Sequence, residues 1–431
     1  MYRTSKLSRS NLFGKLIRRC ILAAMLVCWT TGMPAAPVRN APVPTYTVDL
    51  AALGYRLPSA RALASGESLE TVDFADATHL LITYNQRKLI PRLRDDAEGD
   101  RDRIVRVLLV SVTDGKLVAE TEWRTHDHAR YLWQLTGGKF LVRLGNSLSL
   151  LTPTEAHGGE ELVRRSLLTT ERRLRAVQVS PDGRSVAVQT SAQELVGDDP
   201  DEPKQKRPVE LDFFNFRSEP PALVKRGATS VSRLLHLSFN EQGYLVAKPE
   251  KGGTWGFDLE GFRGEHLELA GVQSSCRPDV LFVDATEFIA NGCRAGDERG
   301  MLGGFNLRGE ILWVQGVTPP HSPGFAFAAD AGRFALRITN VEVDALAPEG
   351  SGPMAQEVRV YQTYNGVELL RVGSTPVHRA EQNFALSADG HELVVWRNET
   401  LAVYSLPPLT AKDTKAVEAA SKPVTLPAST Q

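Results

Sequence analysis

Apolar residues along this chain fall in short runs that alternate with polar positions and break at Asp, Asn, Gly and Pro. Val72 to Thr83 alternates and turns at Asp76-Ala77-Thr78; Val177 to Val188 turns at Pro181-Asp182-Gly183; Phe384 to Val395 turns at Ala388-Asp389-Gly390. Leu237 to Val246, Leu281 to Ile289, Phe325 to Leu336 and Tyr131 to Val142 follow the same pattern. A period of two, rich in β-branched and aromatic residues and closed by turn formers, predicts strand pairs. Second hairpins follow the first, with turns at Thr113-Asp114-Gly115-Lys116, Leu307-Arg308-Gly309-Glu310 and Tyr364-Asn365-Gly366-Val367. Asp-Gly and Asn-Gly suit two-residue turns that need positive φ.

The pattern is also copied. Gly316-Val317-Thr318-Pro319-Pro320-His321 returns 57 residues later as Gly373-Ser374-Thr375-Pro376-Val377-His378, each followed by an apolar strand and an Ala-Asp turn. Unit starts fall near residues 72, 131, 175, 233, 279, 325 and 383. Two hairpins per unit and seven units predict an all-β, seven-bladed β-propeller of four-stranded antiparallel blades over residues 46–409. That is about 52 residues per unit against the usual 40–45 or so, the excess lying in three insertions. The last unit offers three strands before Pro407-Pro408, so an N-terminal strand is expected to close the ring. Thr45 to Leu50 is one candidate and Arg61 to Leu69 a competing one. Closure matters because an open sheet edge invites pairing with other chains.

Val179-Ser180-Pro181-Asp182-Gly183-Arg184 and Leu386-Ser387-Ala388-Asp389-Gly390-His391 resemble the first hairpin of WD-repeat-like propellers, without their Gly-His and Trp-Asp dipeptides. The same hairpin is shared by bacterial periplasmic propellers, quinoprotein-like propellers and the propeller domains of some peptidases. The resemblance implies the fold; it implies no activity, because this fold hosts many unrelated functions.

The first 36 residues read as a secretory signal peptide. Arg3, Lys6, Arg9, Lys15, Arg18 and Arg19 precede an apolar stretch from Ile21 to Trp29 and the small residues of Met33-Pro34-Ala35-Ala36. That stretch is short of the roughly 20 residues a membrane helix needs. An uncleaved anchor is the alternative, and Arg18-Arg19 leaves a twin-arginine route open beside the general one. Residues 37–45 read as a flexible linker and 410–431, rich in Ala, Pro, Thr and Lys, as a disordered tail. Without the signal's six cations, 44 basic residues face 51 acidic ones, a net charge near −7. Such a chain lacks the cationic excess that duplex nucleic acid selects. Only Cys276 and Cys293 survive cleavage. A hairpin turning at Asp284-Ala285 sets residue 283 against 286 and therefore 276 against 293, which predicts a disulfide in an oxidising, periplasmic or extracellular compartment. Free or metal-binding thiols are the alternative.

Because neighbouring strands run in opposite directions, links between strands two and three and links between blades share one face. The insertions Gln86 to Arg103, Ser191 to Pro208 and Asn340 to Gln356 all project there. They are longer than ordinary connections, as binding loops and solvated decoration both are. The second carries Asp198, Asp199, Asp201 and Glu202; the third carries Glu342, Asp344 and Glu349. Between-blade links on that face add His126, Asp127, His128, His321 and His378. With Asp198 and Asp199 these form the candidate binding rim.

Thr125-His126-Asp127-His128 can present two imidazoles on one side of an extended segment. His321 and His378 occupy equivalent repeat positions, which favours hydrogen bonds within the blade over a metal site, and no metal is assigned. The acidic run from Asp95 to Asp102 misplaces the glycine of a calcium loop and is interleaved with arginines. No Gly-x-Ser-x-Gly elbow, His-Glu-x-x-His or phosphate-binding glycine loop occurs, and no cofactor is implied. Trp255, Trp313 and Trp396 read as packing between blades. The expected function is recognition of a protein, peptide or cell-envelope component; the alternative is an enzyme, a lyase, hydrolase or quinoprotein-like oxidoreductase, with its site at the channel mouth.

Overall fold

The computed structural model describes residues 42–59, 62–63, 70–86, 88, 103–125, 130–154, 162–192, 207–218, 220–231, 235–294, 299–318, 321–342, 352–378 and 382–426. The proposed signal peptide lies outside them. Seven four-stranded antiparallel sheets form the ring of a β-propeller. Blades one to six span residues 71–125, 132–169, 173–231, 238–273, 279–317 and 321–374. Within each, the sheet order follows the chain, and the strands are lettered a to d outward. The a strands meet at the centre: Thr71–Phe74 touches Phe384–Leu386, which touches His321–Ala328. The d strands form the circumference, and Leu117–Thr125 and Ala222–Val231 show more exposed positions than the inner strands.

Blade seven is built from both ends of the sequence. Phe384–Leu386, Glu392–Arg397 and Thr400–Ser405 supply a, b and c, and Tyr46–Asp49 supplies d. The register sets Tyr46 against Val403 and Asp49 against Thr400. Of the two candidate closing strands, the earlier one closes the ring. Pairing begins one residue inside the expected linker, because Thr45 N donates to Val403 O at 2.7 Å.

Side-chain alternation makes the core. On each b or c strand one set of apolar residues meets the preceding blade and the other set meets the following one. Leu80 and Ile82 pack with blade seven through Trp396 and Val394, while Leu81 and Val107 pack with blade two through Phe140 and Val142. The cores are therefore interblade layers, and each blade belongs to two of them. Trp396 is fully buried between Tyr55 and blade seven, Trp255 joins the layer between blades four and five, and Trp313 the layer between five and six. All three tryptophans pack as the sequence predicts. The turn glycines at 115, 309 and 366 have φ of 65°, 79° and 67°, and a Cβ at Gly366 would stand 2.5 Å from the Trp313 ring.

Three expectations are corrected. The tail is ordered as far as Leu426: Ala411–Ala420 is a helix whose Thr410 side chain accepts from Asp413 N while Asp413 caps Thr410 N, a capping box. Composition alone hid it, because Ala and Lys serve helices as well as loose tails. The third insertion is shorter than 340–356, because its ends extend the blade, with Asn340 against Ala355 and Glu342 against Gly352. The cysteine hairpin turns over three residues rather than two: Asp284 Oδ1 accepts from Thr286 N and Glu287 N, so Val283 pairs with Glu287. Cys276 consequently sits outside the paired strand Asp279–Phe282, yet it bonds Cys293 with the Cα atoms 5.4 Å apart.

Two outcomes test this packing. Trp396→Ala should cost about 3–5 kcal/mol in denaturant unfolding, as a large cavity in a rigid layer does. Removing both cysteines, which are 17 residues apart, should cost about 3 kcal/mol in the chain-entropy model, read as the stability difference between oxidised and reduced protein that the double Cys→Ser variant abolishes.

Candidate functional site

Antiparallel alternation sorts every connection. Turns a–b and c–d lie on one face of the disc; links b–c and d–a lie on the other, where the strands flanking the insertions end at Gln86, Ser191 and Glu342 and resume at Arg103, Arg207 and Gly352. Of the expected rim, His126, Asp127, His128, Asp198 and Asp199 fall outside the described residues. His321 opens strand a of blade six, and its side chain is likewise not described.

His378 is described, and it is not on the rim. Its side chain and that of Glu70 are both 0% exposed, with Nδ1 2.7 Å from Glu70 Oε2. Tyr55 Oη donates to the other oxygen of Glu70 at 2.5 Å. Burial first, then the Glu70 charge, pushes the Tyr55 phenol upward, so it stays a donor. Gln356 clamps the His378 backbone, donating to its carbonyl at 2.8 Å and accepting from its N–H at 3.3 Å. Asn383 donates to Gln356 Oε1 at 3.0 Å and accepts from Arg337 Nη1 at 3.1 Å. The histidine is thus drawn inward at the seam of blades six, seven and one, where it can receive neither a partner nor a substrate from the rim.

Beside this seam Asp73, on strand a of blade one, is buried, and its carboxyl is pushed up to about 7 by desolvation, with Arg130 opposing. Gln382 bridges it to blade two, donating to Asp73 Oδ2 at 3.3 Å and to Leu132 O at 2.9 Å. None of Glu70, Asp73, Gln356, Gln382 or Asn383 stands out in sequence. The available signal was a run of polar residues entering apolar a strands, as in Glu70-Thr71 and Gln382-Asn383.

The opposite face is occupied. The chain leaves blade seven at Ser405 on that side, and buried Arg333 holds Pro407 O and Gly390 O at 2.7 and 2.6 Å. The helix and the segment after it then cross blades six, five and four. Lys412 lies over the Tyr364 ring at 5.5 Å. Thr286 Oγ1 donates to Ala420 O at 2.6 Å, Arg308 to Ala419 O at 3.0 Å and Gln242 to Val424 O at 2.7 Å. Val424 and Leu426 finish in the layer between blades four and five. Beneath this strap lie Asp284 and Glu287. Burial is the largest cause that raises both, to about 6 and about 8, and the nearby Asp284 charge raises Glu287 further.

Elsewhere an apolar groove of about 100 Å³ lies between blades two and three, among Leu148, Leu168, Val186, Val188, Phe214 and Phe216. It carries no group for acid–base chemistry. On blade four, Asp258, Glu260 and His266 bring donor atoms within 4.8 Å of one another. No helix among the described residues is long and apolar enough to cross a membrane.

No protein-family model matches the chain, and a search of curated proteins finds no match. Among solved structures it is similar to Kuenenia stuttgartiensis hydrazine synthase at 13% identity and TM-score 0.40, over 88% of this chain and 99% of that one. It is also similar to the Pyrococcus horikoshii acylaminoacyl peptidase at 11% identity and TM-score 0.44, over 80% of this chain and 53% of that one. A chain of the mitotic checkpoint complex aligns at 12% identity and TM-score 0.32, over 65% of this chain and 90% of that one. The likeness to WD-repeat and quinoprotein-like propellers is one of fold.

Asp73, Asp284 and Glu287 hold raised carboxyl pKa values, so they bind more protons folded than unfolded at intermediate pH. The stability these three groups contribute is therefore fully present below their unfolded values and is lost as pH rises from about 4 towards 8. Denaturation across that range should show the decline, and Glu287→Gln should flatten its upper half while leaving the part due to Asp73.

Proposed function

We propose that this chain is an exported, non-catalytic propeller that binds a protein, peptide or envelope component through the face carrying the long insertions. One asymmetry of the disc carries the reading. The C-terminal strap covers turns of blades four, five and six on one face, while the insertions all leave from the other. The reading places the partner on the face from which the insertions leave. The rim is then His126, Asp127, His128, Asp198, Asp199 and His321, without His378, and its acidic loops suit a cationic or polar partner. The disulfide accords with an oxidising compartment.

The enzyme reading has a specific observation too: Asp284 and Glu287 form a proton-sharing pair of the kind that serves acid–base chemistry. Yet Thr286, between them, is tied to Ala420 of the strap, and a substrate would have to displace the helix to reach them. Recognition needs no such rearrangement, and it is the reading we adopt.

The test is capture from an envelope extract by the tagged mature chain, compared with a chain whose three insertions are each replaced by a short turn and whose melting is unchanged. Capture should fail when the insertions are gone. Equal capture by both chains would remove the insertion face from consideration.

A further inference from the structure

We propose that blade four carries a site for a divalent transition-metal ion of the zinc class, between His266 Nε2 and Asp258 Oδ2. The site is built by two outer strands, Thr254–Gly261 and His266–Gln273. Their register sets Asp258 against Glu268 and Glu260 against His266. Directly opposed residues share a face of a sheet, and so do residues two apart on one strand. All four donors therefore stand on one side of the blade, on paired strands rather than on a loop.

The orientation of the imidazole points to an ion. Its Nδ1 lies 3.3 Å from Glu260 Oε1, and its Nε2 lies 4.0 Å from Asp258 Oδ2. The first is the orienting contact a carboxylate makes with a metal-binding histidine, fixing the tautomer and making the far nitrogen a better donor. The second is too long for a hydrogen bond. Two ligands of one tetrahedral zinc, each about 2.0–2.2 Å from it, stand roughly 3.4 Å apart, so a shift of about half an ångström would let both reach the same ion. Water completes the shell, with Glu260 in the same group of donor atoms, all within 4.8 Å of one another.

Charge points the same way. Asp258, Glu260 and Glu268 face one ammonium, that of Lys248, which rests on Asp258 and lies 3.8 Å from Glu260. The Asp258 side chain is only 10% exposed, and a carboxylate so far from water needs a cation against it. Lys248, with a side chain 51% exposed, holds that place on a flexible stem and can swing away. Ion and lysine compete for one carboxylate. An imidazole among carboxylates favours zinc, nickel or copper over calcium and magnesium.

The probe is Zn²⁺ titrated calorimetrically into the purified mature chain, with Ca²⁺ in parallel. One equivalent of Zn²⁺ should bind, and Ca²⁺ should not compete. Asp258→Asn and His266→Ala should each weaken binding at least tenfold, and Lys248→Met should tighten it. His266 is half-exposed, so His266→Ala should melt as the parent does; Glu260→Gln, which keeps the shape, gives a second reading of the same site through a smaller loss. His126→Ala with His128→Ala should leave the affinity unchanged. Absence of binding, retention in His266→Ala, loss in the His126/His128 pair, or no gain in Lys248→Met would each overturn the proposal.

Discussion

The ring is held shut by pairing between Tyr46–Asp49 and Thr400–Ser405, and the other interblade layers depend on it. Each blade buries its two apolar faces only if it has a neighbour on both sides. With the ring open, blades seven and one would each present a bare face, Val394 and Trp396 on one side and Leu80 and Ile82 on the other. The chain between the closing strands is long, but closure entropy grows only logarithmically, to about 5 kcal/mol for a loop of this size. Val48, Leu50 and Tyr55, all buried at the seam, offset that at roughly 1.5–3 kcal/mol each. Closure is therefore within reach of one short strand and the link that follows it.

The same seam explains the concentration of buried polar groups. Where an N-terminal link, a between-blade link and two a strands converge, backbone ladders cannot satisfy every donor and acceptor. Gln356 and Gln382 supply partners for the His378 and Leu132 carbonyls, and Asn383 and Glu70 tie in the Gln356 and Tyr55 side chains. His378 belongs to this network. The rim reading of His378 comes from its place in a between-blade link, while its repeat equivalence with His321 favours bonds within the blade.

The two faces of the disc differ for a reason that begins in the strand count. Blade seven takes its d strand from the N terminus, so the chain ends after a c strand and emerges on the a–b side. The exit of the C-terminal segment there follows from topology. Its path across blades six to four follows from contacts: a capped helix, a threonine and an arginine offered by turns, and an apolar end that enters a core layer. The b strands that lead into the insertions, ending at Gln86, Ser191 and Glu342, finish on the other face.

The repeat, the two hairpins per unit and the cysteine pair were legible in the chain alone, because each depends on local alternation and turn chemistry; of two candidate closing strands, the folded ring selected Tyr46–Asp49. The pairing of Asp258 and Glu260 with His266 and Glu268 was also within reach, as two alternating polar strands joined by a short turn. Which side chains end up inside was left to the folded ring. The burial of His378, the raised carboxyls of Asp73, Asp284 and Glu287, and the course of the strap all arise where segments distant in sequence meet. No local pattern encodes the loss of water that such meetings impose.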